Sequence, residues 1–442
     1  MTSGLRHSRT TLKRRLLSGH AISIAFASVA LSLLTGCFIA PNRPRYKPAP
    51  ALTAEVPRAE RNLRVFDSAW NAVNELYYDS QFHGLDWRAA RERYRATARE
   101  ATDDEQLYQA INAMLGELKD SHTGAFSPHA KEDRRQHRVV DLGIGLAGIK
   151  GSQNQKIVDE VWPGGPGAEA GVKTGWILET CNDQPARTFM ENVSLQEGQT
   201  VHCTFLDTKD QPCQRTLIAR TMSRPPVCET RPLAHGIVYL RFDHFDAPSV
   251  QWLRAQLRIH AEAPAIVLDL RWNPGGLEQT LQDAASAFLP RYSSLGTNIR
   301  HEKSNPIRAF RLRQSIHFLG RDYLIPDRRP GPAYQGRLAV LTSNKTASCS
   351  EVFSDAIKYY QRGVIIGMTT AGAVLGSRDV KLPDGGKLIV ATDDVRSPAG
   401  HRLEGDGVEP DIAVHRTYDF LRAGIDQDIE AALVALQKPR LK

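Results

Sequence analysis

The sequence predicts an α/β core preceded by a helical region and a β-rich region, and three observations predict it. Near-continuous apolar runs at Ile237-Val238-Tyr239-Leu240, Ala265-Ile266-Val267-Leu268-Asp269-Leu270, Leu338-Ala339-Val340-Leu341 and Val364-Ile365-Ile366-Gly367 read as buried strands. Helical stretches at 250–259, 277–288 and 350–360 separate them, which is an α/β layout. Upstream, Val65, Trp70, Val73, Leu76 and Tyr77, then Leu107, Ile111, Met114, Leu115 and Leu118, recur at helical spacing. Between these regions, alternating segments at 201–206 and 216–219 predict short strands.

The 442 residues suffice for two or three domains. The expected divisions are a targeting segment at 1–36, a Pro-rich tether at 37–58, a helical domain at 59–130, a β-rich domain at 139–222 and the α/β core at 232–442. A last helix at 426–436 closes the core, and Thr102 or Asp103 is the expected cap of the second N-terminal helix.

The targeting segment has a basic start ending at Arg15, an apolar stretch at 21–34, and then Leu34-Thr35-Gly36-Cys37. Those four residues resemble a bacterial lipobox. The resemblance implies that Cys37 is lipidated and anchors the chain in the cell envelope, facing the periplasm. Phe38 stands where an Asp would imply inner-membrane retention, so the outer membrane is the expected site. An ordinary signal peptide beside a chance Cys reads the same residues.

Of the formal charge of +8, five units (Arg6, Arg9, Lys13, Arg14, Arg15) lie in the targeting segment, leaving +3 on the body. The other Lys and Arg are interspersed with Asp and Glu, so no nucleic-acid partner is expected. Export permits disulfides among Cys181, Cys203, Cys213, Cys228 and Cys349. Cys203 and Cys213 flank a turn at Asp207-Thr208-Lys209-Asp210, but spacing alone leaves the pairing open. No C-x-x-C or H-E-x-x-H spacing is present, so no metal or cofactor is expected.

Four segments carry candidate chemistry. Thr346-Ala347-Ser348-Cys349-Ser350-Glu351 lies between a strand and a helix, where backbone N–H groups stabilise a developing anion. Ser348-x-x-Glu351 is equally a capping box. A Ser nucleophile needs a base, and the base an orienting group. His122 in Asp120-Ser121-His122-Thr123-Gly124 is a candidate for the first and Glu404 for the second; each also reads as an ordinary surface residue. Asp269-Leu270-Arg271-Trp272-Asn273-Pro274-Gly275-Gly276 ends a strand in a glycine pair, which suits donors aimed at an oxyanion, or a plain turn.

In chain order these segments, the last being Leu403-Glu404-Gly405-Asp406-Gly407-Val408-Glu409-Pro410-Asp411, resemble the "D-S-H-T", "D-L-R-x-N-x-G-G", "S-A-S-A-S-E" and "G-x-x-P-D" elements of the carboxy-terminal-processing (tail-specific) peptidase family. Pro163-Gly164-Gly165-Pro166-Gly167-Ala168-Glu169-Ala170-Gly171-Val172 through Gly175-Trp176-Ile177 resembles a PDZ domain, with Trp176 where that family usually has Asp. The resemblance implies a serine endopeptidase acting on exported or misfolded polypeptides near their C-termini, with a core of crotonase- or ClpP-like αβ layers. It places the nucleophile at Ser348. It also implies that Gly143, Ile144, Gly145 and Leu146 bind the substrate's C-terminus as an added strand.

One position departs from the family. Tail-specific members carry a base Lys in "G-E-P-T-x-G-K", whereas Gly367-Met368-Thr369-Thr370-Ala371-Gly372-Ala373 ends in Ala373. Tricorn-type proteases use Ser–His–Ser–Glu instead. By that resemblance His122 is the base for Ser348, Ser121 relays His122 to Glu404, and the N–H groups of Cys349 and of Gly275 or Gly276 form the oxyanion hole. The competing expectation, resting on Ala373, is an inactive PDZ adaptor that binds protein C-termini. A third, an esterase or crotonase-like acyl enzyme, leaves the PDZ-like region unexplained, and Ser348 lies in no G-x-S-x-G elbow.

Overall fold

The computed structural model describes residues 46–53, 56–148, 155–192, 195–299, 320–325, 333–415 and 417–437. The expected targeting segment, Cys37 and half of the tether lie outside them. The chain divides into two units, Met1–Lys47 and Pro48–Lys442. The second is a mixed α/β structure.

Three helices open it: α1 (Arg58–Leu76), α2 (Trp87–Glu100) and α3 (Asp104–Gly116). The carboxylate of Asp86 accepts from Ala89 N–H at 2.9 Å, and that of Asp103 from Gln106 N–H at 2.8 Å. Each satisfies a donor the helix itself leaves open. Of the two expected caps for α3, the structure uses Asp103. After α3 the chain forms β1 (Gly124–Phe126), which pairs antiparallel with residues 387–389 of the core. That pairing ties the segment carrying His122 to the core.

After α4 (Pro128–Arg135) come β2 (Arg138–Asp141), β3 (Ile144–Gly148), β4 (Lys156–Val161), α5 (Pro166–Glu169), β5 (Ile177–Cys181), β6 (Gln184–Pro185), α6 (Ala186–Asn192), β7 (Thr200–Leu206), β8 (Pro212–Ile218) and β9 (Arg220–Ser223). An antiparallel sheet runs β3-β4-β5-β7-β8 with β6 on β5, and β2 pairs with β9 to close the region at its base. In β7, Val201, Cys203 and Phe205 point inward and the residues between them outward, the period-two pattern of a half-buried strand. The register separates the two cysteines that flank the β7–β8 turn: Cys203 lies opposite Arg215, and Cys213 opposite Phe205.

The remaining elements are β10 (Cys228–Pro232), β11 (Val238–Phe242), α7 (Ala247–Ile259), β12 (Ala265–Asp269), α8 (Glu278–Ala285), β13 (Ser294–Ile299), β14 (Gly320–Leu324), β15 (Arg337–Thr342), α9 (Cys349–Tyr359), β16 (Val364–Gly367), β17 (Leu375–Lys381), β18 (Lys387–Arg396), β19 (Ile412–Ala413), α10 (Tyr418–Arg422) and α11 (Gln427–Gln437). Helix α7 begins earlier than its apolar spacing implies, because Asp246 caps it by accepting from Ser249 N–H at 2.8 Å. The main sheet has the order β10-β11-β12-β15-β16-β19, parallel except for β10. One face packs Leu240, Phe242, Leu268 and Val340 with Leu253, Leu281 and Phe353. The other packs Val267, Ala339, Leu341 and Ile366 with Ile429, Ala432 and Leu436. Covering both faces is why these strands read as unbroken apolar runs. A second sheet, β1-β18-β13-β14 with β17 on β18, carries the contact with the helical region. The carboxyl ends of β12 and β15 release the loops with Gly275 and Ser348, the usual ligand end of such sheets.

Candidate active site

Ser348 is the N-cap of α9, with φ 55° and ψ −121°. A positive φ is strained for a residue with a side chain, and such strain concentrates where function demands it. Glu351 holds it. This carboxylate is fully buried and accepts from Ser348 N–H (2.9 Å), Thr370 Oγ1 (2.5 Å), Gly372 N–H (2.7 Å) and Ala373 N–H (2.9 Å). Ser348 N–H is also directed at Ala373 O at 2.8 Å. Burial pushes the Glu351 carboxyl above its ordinary range, and the four donors oppose that shift. Ala373, where a base Lys was the family's pattern, thus braces the backbone of the Ser348 turn.

The loop before β1 supplies the imidazole. Asp120 Oδ1 accepts from His122 N–H at 2.8 Å and Thr123 N–H at 2.6 Å, and Thr123 Oγ1 accepts from Ala391 N–H at 3.2 Å. These bonds tie His122 both to its own turn and to β18. His122 Nε2 lies 3.3 Å from Ser348 Oγ, its Nδ1 2.6 Å from Ser121 Oγ, and Ser121 Oγ donates to Glu404 Oε2 at 2.8 Å. Glu404 also accepts from Ser121 N–H (3.2 Å) and Val374 N–H (2.6 Å). Ser121 has one hydroxyl proton, and Glu404 takes it. Ser121 Oγ therefore accepts from Nδ1–H, which leaves Nε2 as the lone-pair nitrogen facing Ser348. Burial lowers the His122 pKa from the ordinary 6.5, against the charges of Glu404 and Asp120, which raise it. The imidazole is accordingly neutral at pH 7, as a proton acceptor must be.

The backbone donors follow from the glycine pair. Gly275 (φ 98°) passes so close to the serine that a Cβ there would lie 2.7 Å from Ser348 Cβ. At Gly276 a Cβ would collide with Phe245 O. Gly275 N–H is committed to Asn273 Oδ1 at 2.9 Å, while Asn273 donates through Nδ2 to Phe242 O at 2.9 Å. Among the described residues, Gly276 N–H and Cys349 N–H at the start of α9 are the donors left beside Ser348. Cys349 Sγ donates to Gly276 O at 3.3 Å, and burial pushes its thiol up to about 12, so it is no nucleophile at neutral pH.

Beneath this loop lies a buried ion cluster that sequence reasoning missed. Arg271 bonds Asp269 (2.6 Å), Asp426 (2.8 Å) and Asp428 (2.7 Å), and Tyr239 donates to Asp269 at 2.7 Å. Ser343 Oγ donates to Arg271 O at 2.6 Å and Thr346 Oγ1 to Leu270 O at 2.9 Å, joining the glycine loop to the serine loop. Glu351 was also missed in this role, since Ser348-x-x-Glu351 reads locally as an ordinary cap. A glutamate in the first turn of a helix that follows a strand expected to be buried was the available signal.

The residues expected to bind a substrate C-terminus lie apart from this cluster. Ile144, Gly145 and Leu146 are in β3, an edge strand of its sheet, whereas Gly143 is in the preceding turn and its N–H is taken by Asp141 Oδ1 at 2.9 Å. One link to the core is Lys345, whose Nζ lies 3.6 Å over the Trp272 ring and 3.5 Å from Leu146 O; another is Arg422, which donates to Asp210 Oδ1 at 2.6 Å.

A hydroxyl on a strained turn at a helix start, an imidazole aimed at it, a carboxylate behind the imidazole and two backbone donors define a serine hydrolase on an α/β core. Residues 236–414 match Peptidase family S41, and residues 57–116 match the Tricorn protease C1 domain. The chain carries a peptidase family S41 domain and is a serine peptidase. It is 27% identical over 431 residues to the carboxyl-terminal-processing protease of Synechocystis sp., covering 92% of each chain. It is also 27% identical over 390 residues to the chloroplastic C-terminal processing peptidase of Tetradesmus obliquus, covering 82% of this chain and 79% of the relative. Its fold is similar to that of the photosystem II D1 C-terminal processing protease (TM-score 0.54, 23% identity, 86% of this chain and 99% of the other). Mature CPAF in complex with lactacystin is similar at TM-score 0.62, with 13% identity over 86% of this chain and 98% of the other.

Proposed function

We propose that the protein is a C-terminal-processing endopeptidase in which Ser348 is the nucleophile, His122 the general base, and Ser121 with Glu404 the relay that orients it. The observation carrying this reading is the unbroken line Ser348 Oγ–His122–Ser121 Oγ–Glu404, with contacts of 3.3, 2.6 and 2.8 Å. His122 Nε2 removes the Ser348 proton as Oγ attacks the scissile carbonyl. Gly276 N–H and Cys349 N–H receive the oxyanion, and His122 passes the proton to the leaving amine. Water then repeats the sequence on the acyl-enzyme. The first contact tightens when substrate docks. The absence of a Lys at position 373 removes Ser–Lys chemistry but not this route, so an inactive adaptor is not favoured.

The substrate class is an exported polypeptide held by its free C-terminus. The antiparallel region at 139–222 serves as a PDZ domain, with β3 accepting the peptide as an added strand and Lys345 joining that edge to the loop before Ser348. The core is of crotonase- or ClpP-like layering. Cys37 carries the lipid anchor, and the enzyme works at the periplasmic face of the envelope, on the outer membrane.

Two measurements test this. An unstructured peptide with a free apolar C-terminus is cleaved at least several-fold faster than its C-terminal amide; equal kcat/KM for the two counts against capture by the carboxylate. On the pH profile, kcat/KM falls on acidification as His122 gains a proton, with a midpoint below the ordinary 6.5. Because Glu404 raises the His122 pKa, Glu404→Gln moves that midpoint to lower pH while reducing kcat. A midpoint that stays put, or rises, removes Glu404 from the relay.

A further inference from the structure

We propose that Cys181 and Cys203 form a disulfide bond across β5 and β7 when the chain folds in the presence of a disulfide donor. The two residues are register partners in adjacent antiparallel strands. Asn182 N–H donates to His202 O at 2.8 Å and His202 N–H to Asn182 Oδ1 at 2.8 Å, so the cross-strand bonding runs through Asn182 and His202 and leaves Cys181 opposite Cys203 as a non-bonded pair. Non-bonded pairs bring Cα atoms to about 4.5 Å, inside the range of about 4.4–6.8 Å that a disulfide spans. The two sulfurs are already in contact at 3.3 Å, and the residues are 0% and 2% exposed. The sheet thus holds the pair in bonding geometry without backbone movement.

Among the described residues the other cysteines are placed elsewhere: Cys213 opposite Phe205, Cys228 in β10, and Cys349 at the start of α9. The reaction is a thiol–disulfide exchange. One cysteine thiolate attacks the donor's disulfide and expels one donor thiol; the second cysteine then displaces the other. The net change converts two cysteine thiols and one donor disulfide into one protein disulfide and two donor thiols, with two electrons passing to the donor. In the folded domain, contact with Cys181 and burial hold the Cys203 thiol far above its ordinary pKa. Closure therefore belongs to folding, while the thiols are exposed, and once closed the bond is shielded from reductant. It closes the loop carrying β6 and α6 in the sheet that has β3 at one edge.

The test uses the full chain folded with oxidised glutathione, then unfolded in an alkylating reagent. The oxidised chain carries two fewer alkyl groups than a chain folded in dithiothreitol, and a non-reducing digest yields a linked pair of peptides containing Cys181 and Cys203. Its Tm exceeds that of the dithiothreitol-folded chain by roughly 5 °C. Cys203→Ala loses the linked pair and the Tm difference. Full alkylation of both cysteines after folding with oxidised glutathione overturns the proposal, and so does a linkage of Cys203 to Cys213 or Cys228.

Discussion

Ser348→Ala abolishes peptide-bond hydrolysis, a loss on the order of 10⁴- to 10⁶-fold in kcat, and His122→Ala falls to the same residual level. The double variant is no worse than either single one, because nucleophile and base act as a unit and removing either ends the reaction they share. No neighbour replaces them. Ser350 is fully buried, the Cys349 thiol is held protonated, and Lys345 lies over Trp272 with its amine at Leu146 O. The measurement is kcat for an unstructured peptide, alongside circular dichroism to establish that the variants fold. His122→Ala retaining more than about a tenth of the parental kcat would falsify the assignment of the base.

The largest effect on stability falls on Arg271. Its guanidinium joins Asp269, Asp426 and Asp428, and the side chains of Asp269 and Asp428 are 1% and 0% exposed. Arg271→Ala leaves carboxylates buried without their counter-charge, at a cost of about 3–5 kcal/mol in urea unfolding. Asp269→Asn combined with Arg271→Ala recovers part of that loss, since the uncompensated charge is then reduced. The cluster also predicts a pH dependence. Arg271 holds the Asp269 carboxyl below its ordinary 3.8, so its contribution is complete above the unfolded carboxyl's pKa and is lost as pH falls through the depressed folded value. A parental stability that is flat with pH through the acid range, or an Arg271→Ala variant as stable as the parent, would show that the cluster contributes little.

Much of the architecture was legible because it rests on short-range rules. The apolar runs of β11, β12, β15 and β16 are long because both faces of their sheet are covered, and burial on two faces erases alternation. The residues of the candidate site were legible through motif likeness rather than periodicity: locally, Ser348 is a helix cap and His122 a turn residue.

The sequence by itself determined which residue types were on hand: a serine at the start of a helix, a histidine beside a serine, a glutamate in a glycine-rich loop, and no lysine at 373. Tertiary structure decided which of them meet. The pairing of β1 with β18 brings His122 to Ser348, and Asn273 claims Gly275 N–H, leaving Gly276 as a donor. Glu351 becomes the buried brace of the 370–373 loop, and Arg271 finds Asp426 and Asp428 at the far end of the chain. Strand register sets Cys203 against Cys181 instead of Cys213. The physical reason is common to all of these. Propensity, capping and burial act over a few residues and are written in local pattern, whereas a hydrogen bond or ion pair between distant segments exists only once topology and register bring its partners within about 3 Å.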